Sequence, residues 1–297
     1  MARRVSGTMG GAVLALLAVT GLSACGDSSD AAETDTLRLA VTDLQGLEEL
    51  QREFGAFVST FEEASGLDVE FFPVNDRAAA AVALSSDRID LVFTGPAEYV
   101  VIHEKTNAKP VVAIERPGYR SCIYTSADSG ITSLDELAGG TVAMSDVGST
   151  SGHLGPSQVL VEAGVDPLED LTVLTVGDTV HEALERGDVD AVGVGCHDYE
   201  EYTESADPAD FPILAEGSSL PPDVILAHED LDEDTIELVR TTFTENFPDL
   251  LAAMLEGQDN AKYADAELVV ADDEDYDVVR SMYQAIGVDD FSEFVGD

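Results

Sequence analysis

The sequence predicts an α/β chain of two lobes, the second inserted in the first with a ligand cleft between them, and three observations carry that prediction. The first is an internal echo. Ala83-Leu84 is followed by Asp87-Arg88-Ile89-Asp90-Leu91-Val92 and Gly95, while Ala183-Leu184 is followed by Gly187-Asp188-Val189-Asp190-Ala191-Val192 and Gly195. Each copy reads as a helix end, a tight turn and a buried strand. The second is the alternation of short β-type runs with amphipathic ones, the pattern of helices packed on sheets. The third is length, because about 270 residues beyond an N-terminal signal suit two domains better than one. Two copies at so long a period do not make a solenoid.

The elements follow in chain order. Arg3 and Arg4 precede an apolar stretch from Met9 to Val19, too short for a spanning helix of about 20 residues. Leu22-Ser23-Ala24-Cys25 comes next, then a polar, acidic tract. This reads as a secretory signal over 1–24, with Cys25 opening a flexible tether over 25–36. Leu37-Arg38-Leu39-Ala40-Val41 is a strand, Leu47 to Ser65 a helix, and Val69-Glu70-Phe71-Phe72 a second strand. A helix from Arg77 to Leu84 leads to the strand ending at Gly95-Pro96, and Val111-Val112-Ala113-Ile114 completes the first stretch of lobe 1 at 115. Lobe 2 spans 116–223 and starts with Arg116-Pro117-Gly118-Tyr119 and the strand Ser121-Cys122-Ile123-Tyr124. Asp223-Val224-Ile225-Leu226-Ala227 returns to lobe 1, which resumes over 224–297 with helices at Asp234–Phe247 and Asp277–Ala285. Ligands of open α/β sheets sit beyond the carboxyl ends of strands, where the two lobes would face each other.

Within lobe 2, Thr141-Val142-Ala143-Met144 reads as a buried strand and Ser151 to Ala163 as a helix, despite Gly155-Pro156. Between them stands Gly148-Ser149-Thr150-Ser151-Gly152. A helix start offers unpaired N–H groups and a positive dipole end, which attract an anion. One serine there would serve as a cap. Three hydroxyls between glycines point also to an anion site.

Charge and cysteines bound the function. Sixty Asp and Glu against fourteen Lys and Arg give a net charge of −46, and removal of Arg3 and Arg4 with the signal deepens it. Nucleic acid is excluded as a partner, since no basic patch exists. Glu229-Asp230-Leu231-Asp232-Glu233-Asp234 and Asp272-Asp273-Glu274-Asp275 lack the glycine and spacing of a calcium loop and read as solvated surface. Self-repulsion at this charge implies a high-salt setting, where the screening length falls to about 3 Å at 1 M. In an exported chain, Cys122 and Cys196 are expected to pair, which requires Cα atoms within about 7 Å.

At this point the residues resemble a family: the phosphonate-, phosphite- and phosphate-binding proteins of ABC importers, with the type II periplasmic binding protein fold. The likeness runs from Leu37 to Leu231. It rests on Gly148-Ser149-Thr150-Ser151-Gly152, Pro117-Gly118-Tyr119 before Ser121, and Pro221-Pro222-Asp223. Asp90 with Gly95-Pro96 and Tyr99, and Ser133-Leu134-Asp135-Glu136-Leu137, are shared more loosely. The resemblance implies that Ser149, Thr150 and Ser151 grip the oxyanion, that Tyr119 lines the cleft, and that Asp223 faces the ligand. A carboxylate facing an anion needs a proton between them, so Asp223 would accept from a monoprotonated ligand. The small pair before Cys25 resembles a bacterial lipobox, which implies cleavage before Cys25 and lipidation of its thiol. The chain would then be a lipoprotein on the outer face of the cell membrane.

Three positions depart from the family pattern. Asp76-Arg77 stands where many members have Asp-Tyr, Gly177-Asp178 where they carry His with an acid, and His197 where some have an acid that meets an ammonium group. Arg77 is a candidate replacement donor, because guanidinium binds tetrahedral oxyanions bidentately. His197 argues against an ammonium-bearing ligand; the bland alternatives are a solvated Arg77 and a hinge His197. The function implied is solute capture by lobe closure, by a monomer that hands its ligand to a membrane permease with an ATPase, using no cofactor and no metal. Two alternatives are a sensor feeding a membrane signalling receptor and a serine hydrolase. Against the hydrolase, the Gly-x-Ser-x-Gly elbow is missing and His103, His153, His181, His197 and His228 are scattered without metal-ligand spacing. The expectation is therefore not an enzyme.

Overall fold

The computed structural model describes residues 36–291 apart from Asp43 and Gln45. The signal segment, Cys25 and all but the last residue of the tether lie outside the described residues. Six strands form one mixed sheet: β1 (Leu37–Val41), β2 (Val69–Phe71), β3 (Leu91–Thr94), β4 (Lys109–Glu115), β10 (Asp223–Ala227) and β11 (Glu267–Val269), in the order β11-β4-β10-β3-β1-β2. Five form a second: β5 (Ser121–Thr125), β6 (Thr141–Met144), β7 (Thr172–Thr175), β8 (Ala191–Gly195) and β9 (Ile213–Glu216), in the order β7-β6-β8-β5-β9. β1 pairs in parallel with β2 and β3, β6 in parallel with β7 and β8, and the strands around the two crossings pair antiparallel.

Helices cover both faces of the first sheet, as buried strands require. On one face α1 (Leu47–Ser65) and α7 (Glu233–Met254) enclose Phe54, Phe57, Phe61, Phe93, Phe243 and Tyr263. On the other, α2 (Ala79–Ser85), α3 (Pro96–Lys105) and α8 (Asp277–Ala285) bury Tyr99, Tyr276 and Tyr283. The second sheet carries α4 (Gly155–Glu162), α5 (Val180–Glu185) and α6 (Cys196–Ser205). Among the described residues, no helix is long and apolar enough to cross a membrane.

The echo is a shared piece of carpentry. Asp90 accepts from the Arg38 N–H at 2.7 Å and its own N–H donates to the Arg38 carbonyl at 2.9 Å; Asp190 does the same to Thr141 at 2.8 Å each way. Each Asp thus sets the register of a parallel neighbour strand. The turn before it takes positive φ in both copies, at Asp87 (55°) and Gly187 (72°). The closing glycines, Gly95 and Gly195, are the N-caps of α3 and α6.

Several boundaries differ from expectation. The helix expected from Ser151 is two pieces, a π-helical turn at Thr150–Leu154 and then α4. Gly155 presses on Ser121, whose Oγ lies 2.0 Å from where a Cβ would stand, and Pro156 occupies the first turn, where its missing N–H costs nothing. α2 begins at Ala79 rather than Arg77, and α7 continues past Pro248 to Met254. β7, β9, β11, α3 and α6 were not individually legible.

Candidate functional site

A cavity of about 450 Å³ opens where the two sheets' C-terminal edges meet. On the second-lobe side stands the hydroxyl loop. Ser149 caps the π-helical turn, its Oγ accepting from the Gly152 N–H at 3.2 Å, so its proton remains to be donated. Gly152 has no room for a side chain: a Cβ there would meet Ser145 at 2.5 Å. Thr150 reaches across to the first lobe, where its Oγ1 accepts from the Ala97 N–H at 3.0 Å. That bond caps the start of α3 and leaves the Thr150 proton as a donor. Ser151 completes the group, and all three hydroxyl residues line the cavity. Beneath them His153 accepts from the Gly148 N–H through Nδ1, and burial pushes its imidazole down to about 4, so it is neutral.

Tyr119 and Arg116 form the wall at the crossing. Arg116-Pro117-Gly118-Tyr119 is a turn closed by the Tyr119 N–H on the Arg116 carbonyl at 3.2 Å, with Gly118 at φ 69°, the type II requirement. The turn brings its first and last side chains together: the Arg116 guanidinium lies 3.5 Å from the centroid of the Tyr119 ring. Both line the cavity.

Asp223 is held beside the cavity by Arg116 and Tyr263. It is 2 % exposed and absent from the cavity lining. Its Oδ1 accepts from Arg116 Nη2 at 3.1 Å, and its Oδ2 lies 3.0 Å from Arg116 Nε and accepts from the Tyr263 hydroxyl at 2.7 Å. The Arg116 guanidinium that holds this carboxylate lines the cavity. Arg77 does line the cavity, and donates through Nη1 to Glu98 Oε1 at 2.5 Å. A side chain on Gly95 would begin 3.0 Å from Glu98 Oε2, 3.8 Å from Asp223 Oδ1 and 4.0 Å from Thr150 Oγ1, so this glycine keeps the centre open.

His197 also lines the cavity, its Nε2 3.1 Å from Asp198 Oδ1, with its ring 6.5 Å from that of Tyr119. Cys122 and Cys196 are joined by a disulfide with Cα atoms 4.9 Å apart, pinning the start of α6 to β5. Asp146, Asp178, Glu201 and Asp259 make an acidic rim, which Lys262 partly offsets. No hydrogen bond among the described residues joins Ser149, Thr150 or Ser151 to a histidine side chain. The arrangement offers hydroxyls and guanidinium groups around one small space, which suits holding a tetrahedral anion.

Three residues escaped sequence reasoning. Glu98 was reachable by extending the echo, since Gly95 to Glu98 matches Gly195 to Asp198, each an acid in a first helical turn. Arg116 was reachable as the first residue of the Pro-Gly turn. Lys262 gave no signal.

A sequence model described as the ABC-transporter phosphonate periplasmic substrate-binding protein matches residues 40–276. The phosphate-import protein PhnD of Mycolicibacterium smegmatis is 32 % identical over 167 residues, 52 % of this chain and 51 % of that protein. The chain thus aligns with about half the length of that relative. PhnD1 from Prochlorococcus marinus, solved with methylphosphonate, superposes with a TM-score of 0.68 at 18 % identity, covering 85 % of this chain and 98 % of that one. A binding component of an ABC phosphonate transporter from Pseudomonas aeruginosa gives 0.64 at 17 %, covering 83 % and 85 %. At such identities the likeness shows the fold, that of two-lobed periplasmic binding proteins.

Proposed function

The chain belongs to the phosphonate periplasmic substrate-binding proteins of ABC transporters, and from that premise we propose that it captures a phosphonate, phosphite or phosphate in the cleft between its lobes. The observation that carries the reading is the Thr150 hydroxyl, which takes the Ala97 N–H of the first lobe while belonging to the anion-facing loop of the second. A ligand held by Ser149, Thr150 and Ser151 is therefore held where the lobes touch, and its binding favours closure. Sheet membership supports a lobe 1 of 37–115 with 224–297 and a lobe 2 of 116–223, except that Asp223 already belongs to the first sheet.

The closed protein delivers its anion to a membrane permease driven by an ATPase, and it acts as a monomer. The lipobox-like Leu22-Ser23-Ala24-Cys25 supports anchoring through a lipid on Cys25, outside the cytoplasm. Binding rather than catalysis is the reading, because among the described residues no histidine side chain is hydrogen-bonded to these hydroxyls.

A thermal-shift panel tests it. Phosphite, methylphosphonate, 2-aminoethylphosphonate and phosphate are compared in molar salt. A ligand at one hundred times its Kd stabilises by about 2.7 kcal/mol, about 5–10 °C in a protein of this size. Stabilisation by at least one phosphorus oxyanion is the expected result; none from any of them contradicts the reading.

A further inference from the structure

We propose that His153 is a positioning residue for anion capture: its ring takes up the Gly148 N–H and its backbone takes the Ser149 carbonyl, which together fix the hydroxyl loop in the geometry that meets a ligand. The inference rests on the anion-binding reading above and deepens it, naming the support which that loop requires.

Ser149 is bracketed by this one residue. Its carbonyl accepts from the His153 N–H at 3.0 Å, and the amide just ahead of it, that of Gly148, donates to His153 Nδ1 at 3.2 Å. The Ser149 N–H goes to the Asp146 carbonyl at 3.0 Å, and the Gly152 N–H goes to Ser149 Oγ at 3.2 Å. Between them stand the amides of Thr150 and Ser151. These open the π-helical turn, where no carbonyl of the turn can accept from them, and their residues line the cavity. His153 thus sorts the loop: it occupies the amide ahead of Ser149 and leaves those after it for an anion.

His153 is anchored in turn from the core. Its carbonyl accepts from Ser157 Oγ at 2.8 Å, and Ser157 is fully buried in α4. A ring nitrogen that accepts a hydrogen bond carries no proton, so the neutral imidazole holds its hydrogen on Nε2. Burial, which pushes the imidazole down to about 4, keeps this acceptor in place around neutral pH. An apolar side chain could fill the same space, but it would leave the Gly148 N–H without its acceptor. Gly148 sits at φ 79° with no side chain to restrain it, so the start of the loop would then be free to turn. A site whose support lets it sample other geometries loses affinity, because ordering must be supplied on binding.

The test is calorimetric titration of phosphite, methylphosphonate and phosphate into the wild type, His153→Asn and His153→Leu, with melting of each empty protein. Asn carries an acceptor oxygen on the atom that bears Nδ1 in histidine and does not titrate, whereas Leu accepts nothing. His153→Asn should bind within about threefold of the wild type, and His153→Leu should weaken the anion by about 10- to 100-fold while still melting cooperatively. Amide hydrogen exchange reads the contact itself. Gly148 should be protected in the wild type and in His153→Asn, and should exchange fast in His153→Leu. The inference is overturned if a folded His153→Leu binds as the wild type does, if a folded His153→Asn loses tenfold or more, or if the wild-type Gly148 amide exchanges freely. The wild-type exchange and the His153→Asn affinity decide the matter even where His153→Leu fails to fold. Absence of wild-type binding by every phosphorus oxyanion, in contrast, overturns the anion-binding reading itself and this inference with it.

Discussion

Replacing Thr150 with Val keeps the shape of the hydroxyl loop and removes one oxygen. In the closed arrangement the buried Ala97 N–H then has lost its acceptor at 3.0 Å. An orphaned donor of this kind costs about 1–3 kcal/mol, and a lost hydrogen bond to a charged ligand about 1.5–3 kcal/mol. Where the empty protein is open, water satisfies Ala97, so both costs fall on binding. At least about 2 kcal/mol is then expected, or about 30-fold in Kd. Thr150→Ser keeps the oxygen and should stay within about threefold of the wild type. Calorimetric titration with the anion from the thermal-shift panel measures Kd, and melting of the empty protein measures where the cost lies. An unchanged Kd in Thr150→Val would refute the dual role of this hydroxyl. A Tm of the empty protein that falls by the whole amount, with no loss of affinity, would show that the contact exists without ligand.

Three further outcomes follow from the same structure. Removing the disulfide with Cys122→Ser and Cys196→Ser opens a link between residues 74 apart; chain entropy gives a loss of about 4 kcal/mol, read by urea unfolding of the double variant. The His153 imidazole, depressed to about 4 in the folded state, stays neutral there while the unfolded chain gains a proton below its ordinary value of 6.5. Stability is therefore lost as pH falls from 6.5 towards 4, by up to about 3 kcal/mol, and His153→Gln should flatten that part of the pH–stability curve; a parallel curve would exclude the assignment. At a net charge of −46 and with an acidic cavity rim, unfolding free energy and the anion association rate should both rise from about 0.1 M to about 1 M salt, where screening shortens to about 3 Å. Stopped-flow mixing that shows slower association in high salt would contradict the steering argument.

How far the sequence revealed this molecule depended on the kind of information each residue carries. Buried strands such as Leu37–Val41 and Asp223–Ala227 are continuous apolar runs between turn signals, so their existence and order were legible. The echo was legible because register-setting Asp90 and Asp190 recur with their turns. The hydroxyl loop was legible because Gly152 and Gly155 are demanded by close contacts with Ser145 and Ser121. Direction was harder. A side chain's face in a strand reverses with a one-residue slip, and that Asp223, at the start of β10, is taken up by Arg116 and Tyr263 is not written in its own segment. Arg116 was invisible as a wall residue since charged residues usually lie at the surface, and Asp223, from a distant segment, helps to make its burial tolerable. α3 lacks a polar face over Pro96–Ile102, all of which is buried, so no helical stripe marked it.

The central claim is that the hydroxyl loop holds a phosphorus oxyanion. Its most direct test is calorimetric titration of methylphosphonate and phosphate into the wild type and into Ser149→Ala/Thr150→Val/Ser151→Ala, with the fold of each checked by circular dichroism. One-to-one binding of at least one anion by the wild type and none by a folded triple variant is the predicted result. Equal affinity in both would place the ligand elsewhere in the cleft and contradict the account.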